Sequence, residues 1–570
     1  MSKYDEKELK KESKLGPNYK WIALSNTTLG ALMAAIDGSI VMIALPAIFN
    51  GLGVNPLLPA NAGLLLWMLL GYLLVTSVLL VTVGRLSDIF GRVKLYNFGF
   101  LVFAISSILI YISTLYISGT NGVISLIILR IFQAVGSSFL FANSAAILTD
   151  SFPHNERGMA LGINQIAFIG GSIIGLIAGG ILAALDWHLV FLVSVPIGII
   201  GAAWSYVALH EISDNAKKHK SLDLPGNITF ALGLTLILIG ITFSLLPYGN
   251  NPTGWTNPIV LESIIIGITL LIAFVYIESK SEDPMFNLKL FNIRAFTAGN
   301  ISQFLFGISR GGLQFMLIIW LQGIWLPLHG VSFEQTPFWA AIYLLPFMIG
   351  FLIVGPVSGW LSDKHGPKLL STSGLLISAG GFIILSTFTA NFNYSIFAIV
   401  IFILGAGAGM FASPNTTAIM NSVPPEHRGV ASGMRGTFTN ASNLFSMGLF
   451  FTLLILGLSI ALPNAMLTGL TSQGVPKSTA TTISQLPAIT VIFAAFLGYN
   501  PIKTIIPPAT LSTMSQQTVK TITGNAFFPN LISKPFMDGM KIVMLAGAAL
   551  CIIAALISSI RGKQYIHGIA

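Results

Sequence analysis

Residues Gly84–Leu95 read GRLSDIFGRVKL, and residues Gly359–Leu370 read GWLSDKHGPKLL. The second copy keeps a Gly, a Leu-Ser-Asp run and a second Gly at the same spacing, 275 residues further on. Another pair follows at nearly the same distance. FPHNERGMALG at Phe152–Gly162 recurs as VPPEHRGVASG at Val423–Gly433, a step of 271 residues. Two independent matches at almost one offset mean that the chain contains two homologous halves.

The sequence around these motifs is strongly apolar. Of 570 residues 54% are hydrophobic and only 9% charged, with a mean hydropathy of +0.82. Soluble globular chains carry about a quarter of their residues as charges, so most of this exterior must face lipid. The net charge of +9 is spread along the chain rather than gathered on one domain, which excludes a nucleic-acid-binding patch. With Cys551 as the single cysteine, no disulfide can form within the chain. Met1–Lys20 mixes lysines with Asp5, Glu6, Glu8 and Glu12 and has no apolar core, so it reads as a solvated tail and not a cleavable signal.

A bilayer core takes about 20 apolar residues per helix. On that ruler the chain holds fourteen spans, at about 21–48, 62–83, 95–117, 121–148, 158–184, 187–209, 226–248, 257–277, 296–324, 336–358, 369–390, 394–420, 430–461 and 537–560. Alternate connections carry the basic residues: Arg85, Arg92 and Lys94; Arg157; Lys217, Lys218 and Lys220; Lys280, Lys289 and Arg294; Lys364 and Lys368; Arg428; Arg561 and Lys563. The short connections between them carry none, so by the positive-inside rule both termini are expected in the cytoplasm.

These readings give an all-α integral membrane fold of two parallel six-helix halves with two inserted helices. The divisions are a cytoplasmic tail at 1–20, a first half at 21–210, a cytoplasmic linker at 211–225 and the two extra helices at 226–277. A second linker at 278–295, a second half at 296–560 and a cytoplasmic tail at 561–570 complete the chain. The second half includes a long extracytoplasmic loop at 462–536, in which the apolar run from Ile489 to Leu497 is too short to span and reads as interfacial or re-entrant. A hidden additional helix there is the alternative.

Parallel six-helix halves around a cavity at the bilayer midplane form a transporter architecture. From about Ala34 to the last span the sequence resembles the major facilitator superfamily, and within it the fourteen-helix drug:proton antiporter family of multidrug resistance proteins. The resemblance implies a secondary active transporter of the plasma membrane: a proton-coupled antiporter that exports amphipathic or cationic small molecules by alternating access. Its gating loops fall on Gly84, Asp88, Gly91 and Arg92, and again on Gly359, Asp363 and Gly366. Asp88 is expected to cap a helix or pair with Arg92. His365 and Pro367 replace charged residues in the second copy, which is expected to latch more weakly.

Asp37 lies mid-way along the first span in AAIDGSIVMIALP. A carboxylate at that depth costs about 2.5–3.5 kcal/mol, so it must face protein or a water-filled cavity. The resemblance assigns it the coupling proton or the cationic part of a substrate; the plainer reading is a buried acid satisfied by hydroxyls such as Ser39. Arg130 and Gln133 share one face of the fourth span. By resemblance Arg130 lines the cavity and serves proton coupling with Asp37, although a reach to the interface remains open. Ala134 stands where the family has glycine.

Gly171, Gly175, Gly179 and Gly180 form a small-residue stripe for helix packing in the fifth span. Leu176 stands there where the antiporter pattern has proline. In the ninth span Arg310, with Gln303 and Gln314 nearby, maps by the repeat offset beside Asp37, and is read as an anion-binding or counter-charge group of the cavity. An arginine reaching a carbonyl or the interface is the other reading. Glu262, Arg435, Asp538 and Lys541 lie near span ends and are expected to meet water.

No phosphate-binding loop occurs, and the histidines show no metal-ligand spacing. No enzymatic activity, cofactor or metal is called for; the partners are a small-molecule substrate, protons and the lipid bilayer, with oligomeric state left open. Two alternatives stand beside multidrug efflux. One is transport of a specific metabolite, such as an organic acid, an amino acid or a lipid precursor, held through Arg130 and Arg310. The other is a receptor that does not transport.

Overall fold

The computed structural model describes residues 16, 18–55, 57–153, 156–211, 223–281, 284, 286–424, 428–506, 511–512 and 514–562. The lysines of the 211–225 linker, nearly all of the first tail and the end of the last tail lie outside these residues. Within them there is no β-strand, and fourteen helices or helix runs are long and apolar enough to cross a membrane.

The first half comprises α1 (Tyr19–Gly51), α2 (Pro59–Phe90), α3 (Arg92–Tyr116), α4 (Gly119–Ser151), α5 (Arg157–Leu185) and α6 (Ser194–Ala208). Two inserted helices follow, α7 (Leu224–Ser244) and α8 (Pro258–Lys280). Local chemistry sets their starts: Asp223 and Asn257 accept hydrogen bonds from the first-turn amides of Gly226 and Ile259, and Pro225 and Pro258 occupy positions that need no donor. The ninth span is interrupted. It runs as α9 (Arg294–Gly311), α10 (Leu313–Trp320) and a π-helical turn at Leu321–Trp325. Then come α11 (Thr336–His365), α12 (Pro367–Leu385), α13 (Tyr394–Asn421) and α14 (Arg428–Ser472). The last helices are α15 (Lys477–Ser484), α16 (Ala488–Phe496) and the closing span α17 (Phe527–Ser559).

The repeat is visible in the packing. In the first half α4 packs on α2 and α3, and α3 on α6; in the second α13 packs on α11 and α12, and α12 on α17. Each loop motif is a sharp helix–helix junction, with Gly91 at φ +105 and Gly366 at φ +81, backbone values that side chains other than glycine's disfavour.

The glycine stripe of α5 lies against α1. A Cβ on Gly175 would sit 2.5 Å from the Ile36 carbonyl oxygen, and one on Gly171 would sit 2.6 Å from that of Leu32. Gly180 faces elsewhere: across the seam between the halves, with its Cβ direction 2.6 Å from the Phe338 Cα of α11. The other seam joins α2 to α14, and the inserted helix α7 leans on both of those helices, with α8 packed on α7. Trp255, ahead of α8, donates to Thr452 Oγ1 at 3.3 Å.

The 462–536 segment is part helix, part plug. Helix α14 is 45 residues long, about 67 Å at 1.5 Å per residue, well beyond a bilayer core. It runs antiparallel to α17, with Gly457 against Gly539 and Gly469 against Leu531. The intervening chain therefore leaves and re-enters on one face, opposite the loop motifs, and adds no crossing. Helices α15 and α16 are bent by 91°. All nine residues of α16 are buried. It is wedged against α2, α10, α14 and the π turn, with Phe493 on Phe451 and Phe496 on Phe315. Asn50 of the first half donates to the Leu497 carbonyl at 2.8 Å, and Gln322 of the π turn donates to the Ile43 carbonyl at 3.3 Å. The apolar run is thus a short buried helix held inside the bundle by both halves.

Two measurements check this packing. Gly175→Leu forces atoms into the α1 backbone and is expected to cost about 1–3 kcal/mol, seen as a lowered melting temperature in detergent. A cysteine at Ala494 is expected to resist a membrane-impermeant maleimide that labels one at exposed Ser478.

Candidate functional site

Asp37 sits mid-way along α1 and is 1% exposed, with Arg130 of α4 at 4%. Arg130 Nη1 donates to Asp37 Oδ2 at 2.6 Å and to Gln133 Oε1 at 2.7 Å. Gln133 Nε2 donates to Asp37 Oδ1 at 2.9 Å and to Ser107 Oγ of α3 at 2.8 Å. The Arg130 guanidinium lies 4.5 Å from the ring centroid of Tyr72 on α2, whose hydroxyl donates to Ser137 Oγ at 2.8 Å. Four helices thus converge on one buried ion pair. Low polarity strengthens each contact, and the price of leaving either charge alone rises equally.

This placement decides among the open readings of the pair. Ser39 donates to the Ala35 carbonyl, so Asp37 is satisfied by Arg130 and Gln133 instead. Arg130 turns inward to the pair and does not reach the interface. Its Nε has no hydrogen-bond partner among the described residues. One side of α1 at this level is open: a Cβ on Gly38 would meet nothing within 4 Å.

The second half supplies a separate group. Gln303 accepts from Asn415 at 3.3 Å and donates to Thr439 at 3.5 Å. Arg310 is half-buried, its guanidinium 5.1 Å from the Phe351 ring centroid. Gln314 follows one turn on, also half-buried. The six residues read as cavity-lining therefore form two sets, with Asp37, Arg130 and Gln133 in contact and Gln303, Arg310 and Gln314 apart from them. Arg435, expected in water, is half-buried instead, and donates to Thr416 at 3.5 Å. Glu262, Asp538 and Lys541 are exposed, the last two lying inside α17 rather than at its start.

At the first loop motif Arg92 Nη1 pairs with Asp150 Oδ2 of α4 at 2.6 Å. Glu211 accepts from the backbone amides of Arg92 and Val93 at 2.5 and 2.9 Å. A carboxylate there complements the partial positive charge of the α3 N-terminus. Lys20 pairs with Glu156 at 2.6 Å on the same face. Asp150 and Glu211 were missed from the sequence, because they lie 58 and 119 residues beyond Arg92 with no local pattern to mark them. The side chains of Asp88 and Asp363 lie outside the described set. Gly84 and Gly359 both sit within helices ahead of these turns, Gly359 closely facing Ser413 of α13. In the second copy Lys364 rests on the Trp360 ring at 4.0 Å.

With two halves, fourteen spans and this intramembrane ion pair established, comparison with known proteins becomes informative. The Major Facilitator Superfamily profile matches residues 27–447. The chain belongs to the major facilitator superfamily. It is a secondary transporter embedded in a membrane by many spans, and not an enzyme. The riboflavin transporter RibZ of Clostridioides difficile is 32% identical over 76% of this chain and 87% of its own length. The multidrug transporter protein MdtP of Bacillus subtilis is 27% identical over 85% of this chain and 83% of its own. Among solved structures, a bacterial homolog of the human lysosomal transporter Spinster, inward-facing and occupied, has a TM-score of 0.53 at 16% identity. That alignment covers 96% of this chain and 98% of the homolog, and it supports the major facilitator fold alone.

The ion pair makes a measurable claim. Arg130→Met strands a buried carboxylate and is expected to cost about 3–5 kcal/mol. Adding Asp37→Leu to that variant removes the stranded charge and is expected to recover much of the loss. Apparent melting temperatures of the two purified variants check the order.

Proposed function

We propose that the protein is a proton-coupled antiporter of the plasma membrane that exports amphipathic small molecules. Both termini and the two loop motifs then face the cytoplasm, in keeping with the basic residues of those connections. The observation that carries the reading is the Asp37–Arg130–Gln133 cluster beside the open side of α1. A lone carboxylate at that depth is costly, whereas a paired one can exchange its counter-ion for a proton.

In this mechanism Asp37 releases its hold on Arg130 when a proton arrives. The neutral acid no longer offsets the guanidinium, so Arg130 must find a new partner or remain as an uncompensated charge. That penalty ties protonation to a change of arrangement between the halves, through the α5–α11 and α2–α14 seams. Protonation of Asp37 and binding of substrate then alternate within one cycle, and the two species move in opposite directions. The drug-export reading is supported by likeness to MdtP, named a multidrug transporter. Transport of a specific metabolite is the second reading, supported by likeness to RibZ, named a riboflavin transporter, and by the unpaired Arg310.

Asp37→Asn keeps an acceptor for Arg130 and removes the titrating group. The variant is expected to fold and to insert, but to lose pH-driven accumulation of any dye that the unaltered protein carries in proteoliposomes. Retained pH-coupled transport in Asp37→Asn would refute the mechanism.

A further inference from the structure

The two halves differ in the charge they hold on their interior helices. In the first, Asp37 and Arg130 neutralise each other. From residue 296 onward the sequence contains four acids, Glu334, Asp363, Glu426 and Asp538. Glu334 lies in a connection and Asp538 is exposed, while the side chain of Asp363 and all of Glu426 lie outside the described residues. Among the described residues no carboxylate pairs with Arg310, whose guanidinium faces the Phe351 ring instead.

Its surroundings are polar and unsatisfied. Arg310, Gln314 and Asn443 are each half-buried, and none makes a side-chain hydrogen bond to a described residue. They lie together. Gln314 is one turn beyond Arg310, and the Cβ direction of Gly311 points to within 2.8 Å of the Asn443 Cα and Oδ1. The α9–α10 junction at Gly312 breaks the helix there, with Phe351 of α11 covering one face of the guanidinium at 5.1 Å. Polar side chains at lipid depth pair with one another or line a cavity. These three leave donors open, and a guanidinium flanked by amides presents the fork that matches a carboxylate, a sulfonate or a phosphate ester.

A polar stripe leads to this site from the loop-motif face. Along α14 it runs through Arg435, Thr439, Ser442, Asn443 and Ser446, one helical face by spacing. Thr439 meets Gln303, and Gly307 and Gly312 of the ninth span lie against Ser442 and Ser446. Arg435 stands one turn below Thr439, and Gln303 two turns below Arg310, so the two arginines are about 16 Å apart along the helices. Beside Arg435's partner Thr416 is Asn415, which accepts from Arg561 at the end of α17. Burial lowers the Arg561 guanidinium to about 10, which leaves it charged at neutral pH. The route from that face to mid-membrane therefore bears positive charge.

We propose that Arg310, Gln314 and Asn443 form an anion-recognising subsite. Its ligand is a carboxylate, sulfonate or phosphate group of an amphipathic substrate whose flat apolar body packs toward Phe351. This rests on the transporter reading above and names its cargo class: acidic amphiphiles, not lipophilic cations.

The full chain in lipid nanodiscs, dialysed to equilibrium against two xanthene dyes, tests it. Carboxyfluorescein is the anionic probe and rhodamine 123 the cationic one. The unaltered protein is expected to retain carboxyfluorescein, with binding at least tenfold weaker in Arg310→Met and within about threefold in Arg310→Lys. Asn443→Leu supplies a second variant should Arg310→Met fail to fold, with binding again expected to fall. Unchanged anion binding in folded Arg310→Met, binding of rhodamine 123 alone, or binding of neither dye overturns the subsite. Failure of the antiport reading is distinct, since carboxyfluorescein bound through Arg310 but not moved by a pH gradient leaves the subsite standing. Rhodamine 123 driven through Asp37 with carboxyfluorescein ignored leaves the transporter standing without it.

Discussion

A carboxylate at lipid depth is the constraint around which the first half is arranged. Asp37 cannot be left bare, and a single partner on a neighbouring helix satisfies it only if both helices hold their rotation and spacing. The glycine stripe of α5 fixes α1 from one side, through contacts of Gly171 and Gly175 before the acid and of Gly179 beyond it. From the other side α4 delivers Arg130 and Gln133, one turn apart, to both carboxylate oxygens. Tyr72 and Ser107 extend the contact to α2 and α3. A shift of any one helix breaks a buried polar contact, and such contacts change in discrete steps more readily than by degrees.

The second half uses the same scaffold without that constraint. Its interior polar groups sit on α9, α10, α13 and α14, and no acid among the described residues bonds to them. The charge of Arg310 is eased by an aromatic face and by whatever enters beside it. Duplication has thus left one closed polar site and one open one at similar depth. That division suits a cycle in which one half senses the proton and the other holds the cargo, because the two events can then be separated in space and still meet through the helices between them.

Much of this was legible in the sequence, for definable reasons. Span number follows from hydropathy, since lipid imposes a length on every helix. The halves follow from the loop motifs, whose glycines must recur where the same turn recurs. Asp37 and Arg130 stand out because ionisable groups are rare in spans. Their pairing was suggested by resemblance and realised by geometry. Residues that act through distant partners were not legible: Glu211 caps α3 from beyond α6, and Asn443 is one of many small polar residues on α14. The run at Ile489–Leu497 was recognisable as too short to span, but its burial depends on α2, α10 and α14, none of which is close in sequence to all the others. Arg435 was misplaced because its distance from the helix end in sequence did not reveal that α13 covers it.

The closed face sets a further limit on any cycle of movement. Opening it between α2 and α14 means removing α16 from contact with both, and its Ile492, Phe493 and Phe496 are all within 1% of full burial. Exposing side chains of that size to water costs about 1.5–3 kcal/mol each, so they must be rehoused on another apolar surface rather than solvated. Asn50 and Gln322 also hold this face, each by a bond to a backbone carbonyl that another acceptor can replace. The α5–α11 seam carries no inserted segment among the described residues; it is an extensive direct contact of the two helices, with Gly180 closest to Phe338. The two seams are therefore unequal in what they must expose: parting α2 from α14 uncovers the buried α16, whereas parting α5 from α11 uncovers only their own facing surfaces.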